Sequence, residues 1–276
     1  MKKIGVGRSA EVFIDNEGKA LKLFFEWVKP AQIEYEADIS QKITNVYKET
    51  PIFFRVINHE GKLGLQYELI QGEMLSDVMK RQPFRIVKLA RELGEIHRRM
   101  HAGKVEGLAA MSNVYGDRLL RYPTLINNLK DELIEFLERD INNSLCHGDF
   151  HPENVMVDTD GRMWVVDWVN AYSGNPVSDV ARTYYLLKKG TSPEKSSLLI
   201  RVFEVFARHL IAGAYLKSYF KAQKFPKAEF DKWLLIIQIT RYSEGIKDEQ
   251  AYLEKVITRA QRKLVVASLR NREMIK

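Results

Sequence analysis

The densest run of chemically capable side chains is His147-Gly148-Asp149-Phe150-His151-Pro152-Glu153-Asn154, followed by a second acid in Val165-Val166-Asp167-Trp168. An asparagine side-chain oxygen and a carboxylate are hard donors that suit magnesium, an ion that also takes water and phosphate oxygens. Asp149, five residues before Asn154, is placed to receive the proton of a hydroxyl group. A lone Asp–Asn pair reads first as a loop cap through Asx turns. Here the crowding of the cluster, its proline and the strands that follow favour the chemical reading.

Asn154 and Asp167 can act together only if the chain folds back between them. Asn154 to Val157 and Met163 to Val166 are short apolar strands on either side of Asp158-Thr159-Asp160-Gly161, a turn sequence. Such a hairpin returns both residues to one end of a ribbon, with Asp149 one loop away. Ahead of it, Glu11 to Ile14 and Lys19 to Phe25 read as strands joined by Asp15-Asn16-Glu17-Gly18. Leu21, Leu23 and Phe25 share one face, and Ala20, Lys22 and Phe24 the other. Pro30 opens a helix to about Tyr47, with Ile33, Ala37 and Ser40 on one stripe. Ile52 to Ile57 and Leu63 to Ile70 are two more strands, parted by Glu60-Gly61. After Gly72 the pattern turns helical: Phe84 to Met100, Leu125 to Leu137, Ser192-Pro193 towards Ala222, Glu229 to Tyr242 and Gln250 to Leu269. The expected class is α+β. A small antiparallel sheet with one helix would form an N-lobe over residues 1–70, and a larger, mainly helical C-lobe would cover residues 71–276.

His-Gly-Asp-Phe-His-Pro-Glu-Asn together with Val-Val-Asp-Trp resembles the aminoglycoside phosphotransferase and choline kinase superfamily, small-molecule kinases with a protein-kinase-like bilobal fold. The resemblance covers roughly Ile4 to Leu187, with Gly148 standing where protein kinases carry arginine. It implies that Asp149 is the catalytic base and that Asn154 and Asp167 hold Mg2+. Gly5-Val6-Gly7-Arg8-Ser9 before a strand is similar to the kinase loop whose backbone amides cover the phosphates. Ala10 and the following strand argue against a dinucleotide fingerprint, and no Gly-Lys-Ser/Thr makes a Walker loop. Ala20-Leu21-Lys22 matches the kinase Ala-x-Lys, implying that Ala20 roofs the adenine and Lys22 meets the α- and β-phosphates. Glu36, before Ala37, best matches the acid that holds this lysine, with Glu34 next. Gln66 to Gly72 resembles the hinge, so the Glu68 carbonyl and the Ile70 amide are expected to face the adenine. The implied donor is ATP, with GTP left open.

The other histidines carry less. His147 is expected to be buried, its ring bonded to backbone near Asp167. His151 either reaches the γ-phosphate or pins the loop. His97 and His101, one helical turn apart, are expected to pack in the core. Asp179 matches a family acid that caps a helix and braces the catalytic loop. Cys146, the only cysteine, is expected to be buried and inert.

The 276 residues are 45% hydrophobic and 29% charged, which excludes a disordered chain. One cysteine excludes a disulfide framework and a multi-cysteine metal site. No apolar run is long enough to span a membrane. Met1-Lys2-Lys3 starts like a signal peptide, but Gly5 to Ser9 replaces the apolar segment, so a cytoplasmic protein without a membrane partner is expected. Net charge is +7, with seven Lys or Arg against one acid from Lys255 onward. No aromatic residue follows Tyr252, so base stacking is disfavoured and nucleic acid is not the expected partner. Only eleven residues separate Asp167 from Asp179, with no Ala-Pro-Glu. That spacing favours a small-molecule hydroxyl acceptor over a peptide. The expected activity is ATP- and Mg2+-dependent transfer of the γ-phosphate to an aminoglycoside-like, amino alcohol or sugar hydroxyl. A nucleotide-binding pseudokinase and a protein Ser/Thr kinase are the alternatives.

Overall fold

The computed structural model describes residues 1–122, 125–189 and 198–273. Five antiparallel strands come first: β1 (Lys2–Val6), β2 (Ala10–Ile14), β3 (Ala20–Phe24), β4 (Phe53–His59) and β5 (Lys62–Tyr67), in the order β1-β2-β3-β5-β4. Alternation in β3 buries Leu21 and Leu23, while Lys22 lies on the other face. Helix α1 (Pro30–Val46) begins with proline at its first position, where the missing amide costs nothing. Its Ile33 and Ala37 pack with Phe24, Phe53 and Leu65 under the sheet. Its Ile39 and Ile43, one turn further on, belong to the larger core below. A single helix is thereby built into both hydrophobic clusters.

The remainder is α2 (Leu75–Arg81), α3 (Ile86–Met100), α4 (Met111–Leu120), α5 (Asn127–Glu138), α6 (Pro176–Lys189), α7 (Leu198–Tyr219), α8 (Lys227–Tyr242) and α9 (Lys247–Glu273). The expected start of a helix at Ser192-Pro193 lies outside the described residues; α7 ends at Tyr219 rather than near Ala222. Helix α3 packs on α7, α6 on α7 and α8, and α8 on α9. At Gly94 an added Cβ would lie 2.6 Å from the Tyr215 carbonyl oxygen. Glycine there lets α3 and α7 approach closely.

The hairpin after the polar cluster is β9 (Val155–Asp158) with β10 (Met163–Val165), and a third strand, β6 (Gly72–Met74), pairs with β9. Asn154 sits just ahead of β9, in the 3-10 turn Pro152–Asn154, rather than in the strand. A further small sheet joins β7 (Ala109–Ala110), β11 (Tyr172–Gly174) and β8 (Ser144–Cys146). No helix among the described residues is long and apolar enough to cross a membrane.

Candidate active site

The ribbon brings its two ends together. Val155 pairs with Val165, and the Val166 amide extends the ladder by donating 3.0 Å to the Asn154 carbonyl. The Asn154 side chain is almost buried, and its Nδ2 donates 2.9 Å to the Asp149 carbonyl. That bond fixes the amide, and among the described residues no hydrogen bond engages Oδ1, its hard donor. Asp167 adopts φ 64, ψ 63, a left-handed conformation costly for a residue with a Cβ and typical of functional positions. The neighbouring Trp168 holds it there: the indole Nε1 donates 2.9 Å to Thr50 Oγ1, and the ring lies edge-on to Tyr47.

Lys22 links this ribbon to the sheet. Its Nζ lies 2.6 Å from Glu36 Oε1 and 3.4 Å from Asp167 Oδ1. Burial works against the ammonium, yet Asp167 and Glu36 outweigh it and hold the Lys22 pKa above its ordinary value. Ala20 lies beside it on β3, between Ile14 and Tyr67. Gly5 pairs with Val12, and the Gly7 amide donates 2.8 Å to the Ala10 carbonyl, closing the turn that carries Ser9. A Cβ at Gly5 or Gly7 would meet nothing nearer than 3.8 or 3.5 Å respectively, so the fold itself does not demand glycine at either position. Glu68 and Ile70 follow β5 outside regular secondary structure. Among the described residues no hydrogen bond engages the Glu68 carbonyl or the Ile70 amide. Both residues line a groove of about 210 Å3 together with Asp158 and Trp164.

The Asp149 loop hangs from one buried carboxylate. Asp179 Oδ2 accepts from the His147 amide at 2.6 Å, His97 Nε2 at 3.0 Å and His101 Nε2 at 3.3 Å, and Oδ1 accepts from the Gly148 amide at 3.0 Å. Tyr215 and Tyr219 donate to the far nitrogens of the two rings, at 2.6 and 2.7 Å. His97 and His101 are therefore buried as reading by helical packing requires, but as rungs of a polar ladder between α3 and α7. Asp179 braces the loop without capping α6. The cap belongs to Asn175, whose Oδ1 accepts from the Val177 amide at 2.8 Å. His147 is fully buried and donates through Nε2 to the Val166 carbonyl at 3.0 Å, while its Nδ1 accepts from the Asp149 amide at 3.2 Å. Cys146 is buried, and burial pushes its thiol pKa up.

The Asp149 carboxylate is 27% exposed. His151 Nε2 lies 3.5 Å from its Oδ2, and Arg182 NH2 lies 2.9 Å from its Oδ1. Burial alone would raise this carboxyl, but the His151 ring and the Arg182 guanidinium together hold it well below the usual range. It is thus a fixed anion, and its loop is tied to Asn154 through the Asp149 carbonyl. Arg182 escaped the sequence reading, because in Val180-Ala181-Arg182-Thr183 it has the look of one more helical residue. Its partners lie 33 and 62 residues away.

The family model described as phosphotransferase enzyme family matches residues 1–212. No curated protein matches the chain. Among solved structures, the apo form of a thermostable mutant of aminoglycoside phosphotransferase APH(4)-Ia is 16% identical with a TM-score of 0.61, covering 95% of this chain and 93% of that one. A ternary complex of a thermostable mutant of the same enzyme with ADP and hygromycin B is 15% identical with a TM-score of 0.56, covering 94% and 92%. A choline/ethanolamine kinase family protein from Mesorhizobium loti is 16% identical with a TM-score of 0.56, covering 94% and 86%. At these identities the likeness is one of fold.

Proposed function

The chain belongs to the phosphotransferase enzyme family, and on that premise we propose that it transfers the γ-phosphate of ATP to a hydroxyl of a small molecule, with Mg2+ as the metal. The observation that carries this reading is the linked set Glu36–Lys22–Asp167, closed by the ribbon onto Asn154 and Asp149. Lys22, held charged and aimed by Glu36, meets the phosphates. The open backbone of Gly5 and Gly7, with Ser9 between the strands, leaves room for a phosphate chain against main-chain amides. The unengaged Glu68 carbonyl and Ile70 amide offer an acceptor and a donor to a purine edge, and Ala20 lies on the strand beside them.

Asn154 and Asp167 are the residues that would hold magnesium. Their oxygens are the hard donors it prefers, and the fixed amide of Asn154 fits that use. The metal would supply charge neutralisation on the phosphate oxygens. Asp149 orients the acceptor hydroxyl and takes its proton. A carboxylate held so firmly ionised is a weak base, so the proton moves late and positioning contributes more than basicity. Arg182 is shared by two carboxylates, Asp149 and Glu244. The acceptor classes proposed are aminoglycoside-like molecules, amino alcohols and sugars.

The test is ADP release measured across aminoglycosides, amino alcohols, sugars and nucleosides, on wild type and Asp149→Ala. The variant is expected to lose about 10²–10⁴ in kcat while nucleotide affinity, measured by calorimetry, is unchanged. Equal turnover by both proteins would end the assignment of Asp149.

A further inference from the structure

The base has a charged partner supplied from far along the chain. Arg182 on α6 is only 5% exposed. Its NH2 donates 2.9 Å to Asp149 Oδ1 and its NH1 donates 2.9 Å to Glu244 Oε1. Glu244 lies in the corner between α8 and α9, where Gly245 turns the chain at φ 72. Arg241 NH1 takes its other oxygen at 2.5 Å. The residue before the base cannot provide such a partner. Gly148 sits at φ 76, and a Cβ there would lie 2.2 Å from the Asn170 carbonyl oxygen. A guanidinium is planar, and two carboxylates on its two terminal nitrogens fix the plane.

We propose that Arg182 is the positioning residue of Asp149: braced by Glu244, it holds Oδ1 and leaves Oδ2, whose only neighbour among the described contacts is the His151 ring nitrogen at 3.5 Å, as the oxygen presented to the acceptor hydroxyl. The role rests on the function proposed above. It makes the α8–α9 corner, a feature of the helical region, part of the alignment of the catalytic loop. Among the described residues Arg182 makes no hydrogen bond or ion pair with the nucleotide-binding candidates or the two metal-ligand candidates, so its effect should fall on turnover and spare nucleotide affinity. Misplacement of a reacting group by about 1 Å costs on the order of 10²-fold in rate.

The experiment uses the full chain, with water as the acceptor. ADP release is measured at saturating magnesium-ATP, magnesium-ADP affinity by calorimetry, and the unfolding midpoint by scanning calorimetry. Arg182→Met should lower ADP release about 10²-fold with the dissociation constant for magnesium-ADP within about twofold, and Arg182→Lys should recover part of the loss. Since a buried charge triad that loses its centre is also destabilised, Glu244→Gln, at a partly exposed position, serves as the milder variant and should show a smaller loss in turnover alone. In an Asp149→Asn background, Arg182→Met should add no further loss. Unchanged turnover in folded Arg182→Met and Glu244→Gln would overturn the role, as would a full additional loss in the Asp149→Asn background or an equal loss in nucleotide affinity. A wild-type chain that binds magnesium-ADP but releases no ADP from ATP, either with water or with any aminoglycoside, amino alcohol, sugar or nucleoside, would instead sink the proposed function, and this role with it.

Discussion

Replacing Asp179 by asparagine changes almost no volume and removes one charge from the centre of the molecule. The four donors that converge on the carboxylate are two backbone amides and two imidazole N–H groups. Three of them meet Oδ2 and one meets Oδ1, so the least harmful orientation of an asparagine keeps its oxygen at the Oδ2 position. Its NH2 then faces the Gly148 amide, donor against donor. A buried amide left unpaired costs about 1–3 kcal/mol, and a neutral acceptor weakens each of the three surviving bonds by about 1 kcal/mol. The sum is about 4–6 kcal/mol, a large share of the ~5–15 kcal/mol that a folded protein commands. At about 2–4 °C per kcal/mol for chains of 150–250 residues, the unfolding midpoint of Asp179→Asn should fall by about 8–24 °C. Scanning calorimetry at neutral pH measures it directly. A midpoint within about 2 °C of wild type would refute the reasoning, since the four bonds could not then be carrying the loop.

Three further outcomes are expected. His97 is held neutral, mainly by burial and then by His101, with its pKa lowered to about 3; between that value and the unfolded ~6.5 the unfolded chain binds the extra proton, so stability should fall as pH drops through that window, by about 1.4 kcal/mol per unit. Urea unfolding from pH 7 to pH 4 checks this, and His97→Gln should flatten the slope by about one proton. Asp167→Ala should weaken magnesium-nucleotide binding in calorimetry, an unchanged affinity counting against its role as a ligand. Gly148→Ala combines a left-handed backbone with a Cβ placed 2.2 Å from the Asn170 oxygen; it should lower the unfolding midpoint and abolish turnover, and a variant with wild-type stability would show the loop to be free to move.

The parts of the site that could be read from the sequence are those whose partners are near in the chain or repeat with a period. The ribbon carrying Asn154 and Asp167 is one such part, for a turn sequence between two apolar strands places both ends. Lys22 and Glu36, fourteen residues apart, are legible through the resemblance of Ala20-Leu21-Lys22 and Glu36-Ala37 to the family's motifs, while helical spacing alone leaves Glu34 as an alternative. Long-range polar contacts were not legible. Tyr215 lies 118 residues from His97 and reads as one aromatic in a helix. Arg182 and Glu244 are set opposite each other only by the packing of α6 on α8. Helix α4 gives little signal in the sequence, because its buried residues, Met111, Tyr115 and Leu119, form a thin stripe interrupted by asparagine and glycine. Strands of two or three residues, such as β6, β7 and β11, hold too few side chains to show alternation and exist because a neighbouring backbone is there to pair with.

The contact between Lys22 and Asp167 has a consequence for the order of assembly. One ammonium already stands in as counterion for the carboxylate that a divalent ion would need. Under the proposed function, a free metal ion approaching alone would meet an acid that shares its ammonium with Glu36, whereas an incoming polyphosphate would bring enough negative charge to draw the ammonium towards itself and release the acid. On that reading, nucleotide entry would be an exchange of salt partners, in which nucleotide and cation arrive better as a pair than in sequence. Titrating magnesium chloride without nucleotide should accordingly give little heat.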